Sequence, residues 1–140
     1  MRELGLSAKQ LYAINTGYWY DMGMCKVKLD YLYHDVPNSA LHIFYNNRKL
    51  FYAVDTSRID HIIAKNYDTY LIEGNYTTDE ELDEKVVEAH NKGEFTYLER
   101  VRHTHLSQVQ ALNWLDNNMG ENSKYEFIHQ HEDKNVVKNN

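Results

Sequence analysis

From Lys26 to Tyr33 polar and apolar residues alternate (Lys26-Val27-Lys28-Leu29-Asp30-Tyr31-Leu32-Tyr33), which is the two-residue period of a half-buried strand. His34-Asp35-Val36-Pro37-Asn38 breaks that alternation, and the single proline marks a turn. Leu41 to Tyr45 predicts a second strand, and Asn46-Asn47-Arg48 a hairpin loop. Leu50 to Val54 is an unbroken apolar run, the pattern of a strand covered on both faces, and it ends at Asp55-Thr56-Ser57. Ile59, Ile62 and Ile63 then recur at helical spacing and predict a short helix. Thr69 to Ile72 predicts another buried strand, closed by Glu73-Gly74-Asn75.

Two helices carry start signals. Thr78 with Glu81 three residues on is a capping box that opens a charged helix to about His90. Ser107 with Gln110 is a second box; Val109, Leu112 and Leu115 form one stripe behind it, and Gly120 is placed to end the helix. Tyr125 to Ile128 predicts a last strand that runs into His129-Gln130-His131. The order of three strands, helix, strand, two helices, strand predicts a layered α/β (α+β) fold, a mixed sheet with helices on one face. Residues 1–24, where aromatics and glycines mix without a period, form an N-terminal segment of unassigned structure. Residues 25–132 form the domain, and 133–140 a polar tail.

Composition narrows the class. With 140 residues, 42% hydrophobic and 26% charged, the chain fits one globular domain. A net charge of -6 argues against tight non-specific binding to a nucleic-acid backbone, while leaving a metal-assisted nuclease open. The lone Cys25 excludes an intrachain disulfide and suits a reducing cytoplasm. No apolar run approaches the roughly 20 residues that span a bilayer, and the N-terminus lacks a signal-peptide pattern, so a cytoplasmic location is expected.

Candidate chemistry lies at the strand ends. His34, Asp55 and His129 each follow a predicted strand, and imidazole with carboxylate suits zinc or manganese. Singly, each has a plainer reading: His34 bonds Asp35 in a turn, Asp55 caps the next helix, and His129 is solvated beyond an edge strand. His105 precedes a helix N-terminus, which attracts anions; it is either a catalytic contact to a phosphate or leaving group, or a residue packed beside Ser107. Glu73 and Asn75 either orient a ligand imidazole from behind or simply close a turn. Tyr18, Trp19 and Tyr20 are either a stacking platform for a base or part of a core or interface.

These pieces, in order, resemble the C-terminal half of metallo-β-lactamase-fold hydrolases, in the bacterial and phage branch near exonuclease-like members. Tyr33-His34-Asp35-Val36-Pro37 is similar to that family's third metal motif, and Phe51 to Thr56 to the strand whose last Asp bridges two metals. Leu71-Ile72-Glu73-Gly74-Asn75-Tyr76 resembles its LIEANY-type strand end, His105-Leu106-Ser107 its GHLSN segment, and Phe127-Ile128-His129 the strand before its last metal histidine. The resemblance implies that His34 and His129 each ligate one metal and that Asp55 bridges both. The HxHxDH motif that supplies the other ligands is missing from the sequence, and Thr104 stands where glycine is usual.

What this implies is a truncated or split relative of metal-dependent phosphodiesterases and nucleases that is not catalytic as a lone chain. Its site, for zinc or manganese, would be incomplete. Three arrangements are open: a second polypeptide brings the missing half, two copies pair as a homo-oligomer, or the half-domain works as a phage-type binding or inhibitory protein on a host partner. A nucleic-acid partner is left open, and no membrane association is expected.

Overall fold

The computed structural model describes residues 13–130. Six strands form one mixed sheet in chain order: β1 (Trp19–Asp21), β2 (Lys26–Leu32), β3 (Asn38–Tyr45), β4 (Arg48–Ala53), β5 (Thr69–Glu73) and β6 (Lys124–Ile128). The first four are an antiparallel meander, whereas β4–β5 and β5–β6 pair in parallel. Three helices, α1 (Asp79–Asn91), α2 (Leu98–Thr104) and α3 (Gln108–Asn118), lie in the β5–β6 crossover, because parallel neighbours need a long connection.

Local chemistry fixes each junction. Tyr45 pairs with Arg48 across a two-residue loop, Asn46-Asn47, both at positive φ as the tightest hairpins require. Ser107 caps α3 with a complete box: its hydroxyl accepts from Gln110 N–H, and its own N–H donates to the Gln110 side chain. Thr78 caps α1 by accepting from Glu81 N–H.

The core lies between the sheet and α3. Leu32, Ala40, Phe51, Ala53, Tyr70 and Ile72 point to that side and are fully buried, against Leu106, Ala111, Trp114 and Leu115. His42 shares this face. Its Nε2 meets Asp30 Oδ2 at 2.9 Å and its Nδ1 meets the Tyr67 hydroxyl at 2.9 Å, while Lys28 also pairs with Asp30 at 2.7 Å. With Nε2–H donated to Asp30, Nδ1 accepts from Tyr67, which is the bonding of a neutral ring. Burial, helped by Lys28 and opposed by Asp30, pushes the His42 pKa down to about 4. Burial likewise raises the Tyr67 phenol to about 12.

The opposite face carries Val27, Leu29, Leu41, Ile43, Leu50, Tyr52 and Leu71, all half-buried, and among the described residues no helix lies across it. Here β4 departs from expectation. Phe51 and Ala53 are buried but Leu50 and Tyr52 are not fully so; the run is fully covered on one face only.

Other expectations are corrected too. Ile59 and Ile62 are buried, yet residues 58–66 form turns rather than a helix, and Ile63 faces solvent. Apolar spacing alone cannot distinguish a helix from a looped segment pinned by two side chains. Without a helix there, Asp55 caps nothing. Helix α2 was not foreseen, since it lacks a side-chain cap. Met119 ends α3 in extended conformation, so Gly120 is not its left-handed cap; a Cβ there would meet the Asn66 side chain at 2.7 Å. Strand β1 draws Trp19 into the sheet, where its ring stands edge-on to His42, while Tyr18 is exposed. His131, the polar tail and residues 1–12 lie outside the described residues.

Candidate metal centre

The pairing directions decide where the chemistry collects. Because β2 and β4 flank the antiparallel β3, they run the same way, and β5 and β6 continue parallel to β4. Four strands therefore end at one edge of the sheet, where open α/β sheets commonly hold ligands. Beyond those ends stand His34, Asp55 and His129, with Glu73 closing β5. The α2–α3 junction is tied to the same edge by Asn75 N–H to the Leu106 carbonyl (2.9 Å) and Gln108 N–H to the Tyr76 carbonyl (2.7 Å), which brings in His105.

Four side chains converge: one ligand atom each from Asp55, Glu73, His105 and His129 all lie within 4.8 Å of one another. His129 Nδ1 is 2.8 Å from Asp55 Oδ1 and 3.5 Å from Glu73 Oε1. His105 Nδ1 is 2.5 Å from Glu73 Oε1 and 3.7 Å from Asp55 Oδ1. Glu73 is fully buried, and its other oxygen accepts from Thr56 N–H at 3.1 Å. Asp55 and His129 both sit at φ 54°, in the left-handed region that costs a side-chain-bearing residue about 1 kcal/mol or more. Backbone strain at two residues of one cluster is a mark of functional sites.

His34 stands next to this group. Its ring centroid is 5.5 Å from that of His105, and His105 is in turn 5.3 Å from His129. Its Nδ1 pairs with Asp35 at 2.6 Å, and Asp35 is also held by Arg100. The same Nδ1 accepts from Val36 N–H at 3.4 Å, so the turn holds His34 from two sides.

The donor set fits a small divalent ion. Ligand atoms at 2.0–2.2 Å in a tetrahedron stand roughly 3.4 Å apart, so the present spacings of 2.5–3.7 Å among neighbours need to change by only about an ångström. Two carboxylates and two imidazoles also match the preferences of zinc and manganese.

Comparison with solved structures places this architecture. The chain is similar to the metallo-β-lactamase fold protein YhfI from Bacillus subtilis, with a TM-score of 0.61 at 16% identity over 86% of this chain. The fold is a metallo-β-lactamase fold. The match covers 43% of YhfI, so more than half of that protein has no counterpart in the aligned region. No protein-family model and no curated protein sequence matches the chain.

Set against the sequence reading, the metallo-β-lactamase fold brings Asp55 and His129 into direct contact and sets His34 one ring away, outside the four-residue group. His105, read as a catalytic contact, lies inside it. Glu73 was assigned only a supporting or turn role, yet both of its oxygens are used at the centre of the cluster. The available signal was a carboxylate directly following a buried apolar strand, a place where charge needs a partner. Arg100, far away in sequence, had no such signal.

Proposed function

We propose that this chain supplies part of a metal-dependent phosphoester hydrolase, with the remaining ligands brought by a second polypeptide or a second copy. The observation that carries this reading is the meeting of Asp55, Glu73, His105 and His129 at one sheet edge, beside His34. In it, Asp55, Glu73, His105 and His129 would hold the ion, with His34 one ring away. Zinc or manganese held there supplies Lewis-acid polarisation and a water acidic enough to attack at neutral pH. Glu73, whose other oxygen accepts from Thr56 N–H, would keep the His105 imidazole in place at the ion. The chain lacks an HxHxDH motif, so alone it binds metal weakly and turns over poorly.

The uncovered sheet face supports the need for a companion. Seven half-buried apolar side chains that no layer covers among the described residues are the kind of surface that marks an interface. The same face favours a second reading, a phage-type binding or inhibitory protein that docks a host protein there without chemistry. Hydrolysis of bis(p-nitrophenyl) phosphate with Mn²⁺ separates the two. The hydrolase reading expects little activity from the full chain alone and a large gain on adding a polypeptide with an HxHxDH-bearing strand, lost again in His105→Ala. A complex with no activity above background favours the binding reading.

A further inference from the structure

Next to the cluster, on the side of β2, the chain builds an aromatic and cationic surface that metal binding does not require. Tyr33 follows β2 and immediately precedes His34. The Arg58 guanidinium lies over its ring, 5.1 Å from the centroid, with Tyr31 edge-on at 5.2 Å and His61 at 4.9 Å. Arg58 is held in place: Asp60 accepts from its Nε at 2.9 Å and from one terminal nitrogen at 2.8 Å. His61 is anchored by its Nε2 on the Tyr31 carbonyl, 2.8 Å away. Despite this bracing the surface is open, with Tyr31 50% and Tyr33 39% exposed.

One buried residue ties it to the cluster. Thr56, fully buried, accepts from Tyr33 N–H at 3.1 Å, donates its hydroxyl to the Arg58 carbonyl at 2.8 Å, and donates its N–H to Glu73 at 3.1 Å. Ser57 N–H adds a bond to the Tyr33 carbonyl at 2.8 Å. The aromatic surface and the buried carboxylate of the cluster are thus held at a fixed offset, as a substrate-orienting wall must be. Arg58 also lines a groove of about 640 Å³ with Lys65, Gln110, Asn113 and Asn117, which starts at Ser57 and Leu106, the neighbours of Thr56 and His105.

We propose that Tyr33 and Arg58, backed by Tyr31 and His61, form a stacking platform for a nucleobase carried on the phosphoester that the cluster engages. A planar guanidinium lying on a tyrosine, pinned by a carboxylate, offers a flat face on which any base can stack. Amides along the groove can meet base edges. Asp60 neutralises Arg58 and the chain is acidic overall, so binding rests on stacking and not on phosphate neutralisation. It therefore depends little on salt, falling by less than about threefold between 50 and 200 mM. The substrate assignment rests on the hydrolase reading, but the platform can be tested without turnover or metal.

The test uses the full chain in EDTA and a ten-residue oligonucleotide containing 2-aminopurine, whose fluorescence is quenched when the base stacks. Quenching is expected with the wild-type chain. Tyr33→Ala and Arg58→Ala should each weaken binding roughly tenfold, while Tyr33→Phe, which keeps the ring and should fold in any case, should bind like wild type. An abasic strand of equal length should bind much more weakly. Equal affinity for the abasic strand, absence of quenching, or Tyr33→Ala binding as well as wild type would overturn the platform. Metal binding measured separately would be untouched by that failure.

Discussion

Asp55 and His129 are held in a backbone conformation that neither residue prefers, at the ends of the two strands that flank β5. Glycine carries no penalty at φ near +54°, so Asp55→Gly should stabilise the metal-free chain by about 1 kcal/mol while abolishing its metal affinity. Thermal unfolding in EDTA checks this; a lower midpoint in the variant would mean that the Asp55–His129 contact outweighs the strain. His42 makes a second residue-scale prediction. Its folded pKa, about 4, lies below the ordinary 6.5, so between those values the unfolded chain binds the extra proton. Stability is then fully present above pH 6.5 and declines as pH falls toward 4, by something on the order of 3 kcal/mol. Urea unfolding at pH 7 and pH 4.5 should show the decline, and His42→Phe should reduce it. An equal decline in the variant would assign the acid sensitivity to other groups.

Among the elements, β5 and β6 carry the most consequence, because His129 directly follows β6 and Glu73 ends β5. Gly74, just past β5, leaves no room beside β6: a Cβ would lie 2.7 Å from a Phe127 ring carbon and 3.0 Å from Gln108. Gly74→Ala should displace Phe127 and with it the chain two residues before His129, costing about 1–3 kcal/mol. It should also weaken metal binding, which a calorimetric titration beside unfolding data would reveal; unchanged values of both would show that β6 yields without cost. Strands β2 to β6 were legible in the sequence through their alternation and apolar runs, and α1 and α3 because Thr78 and Ser107 announce them, whereas β1 lies where aromatics and glycines mix without a period. Residues 58–66 misled because Ile59 and Ile62 are anchors in a loop, and α2 was silent because tertiary contacts, not caps, hold it. At the site, Asp55 and His129 could be read from their place after strands, and the His34–Asp35 pairing from their adjacency in a turn. The central place of Glu73 and the hold of Arg100 on Asp35 could not, since burial and pairings spanning tens of residues exist only once the sheet is assembled.

For the whole molecule, one face of the sheet packs against α3 and the other, apolar and half-buried, has no helix across it among the described residues. The strand directions gather imidazoles and carboxylates at one edge of that sheet, and the edge is the boundary a companion layer would share. The proposed function joins two features of the molecule: a cluster that could hold a metal, and a sheet face left half-covered among the described residues. The most direct test is titration of Zn²⁺ and Mn²⁺ into the full metal-free chain by calorimetry, alongside Asp55→Ala and His129→Ala. One site of modest affinity in the wild type, lost in both variants, is the predicted result. Wild type that takes up neither metal at millimolar concentration, or variants that titrate like it, would contradict the claim that these side chains form a metal centre.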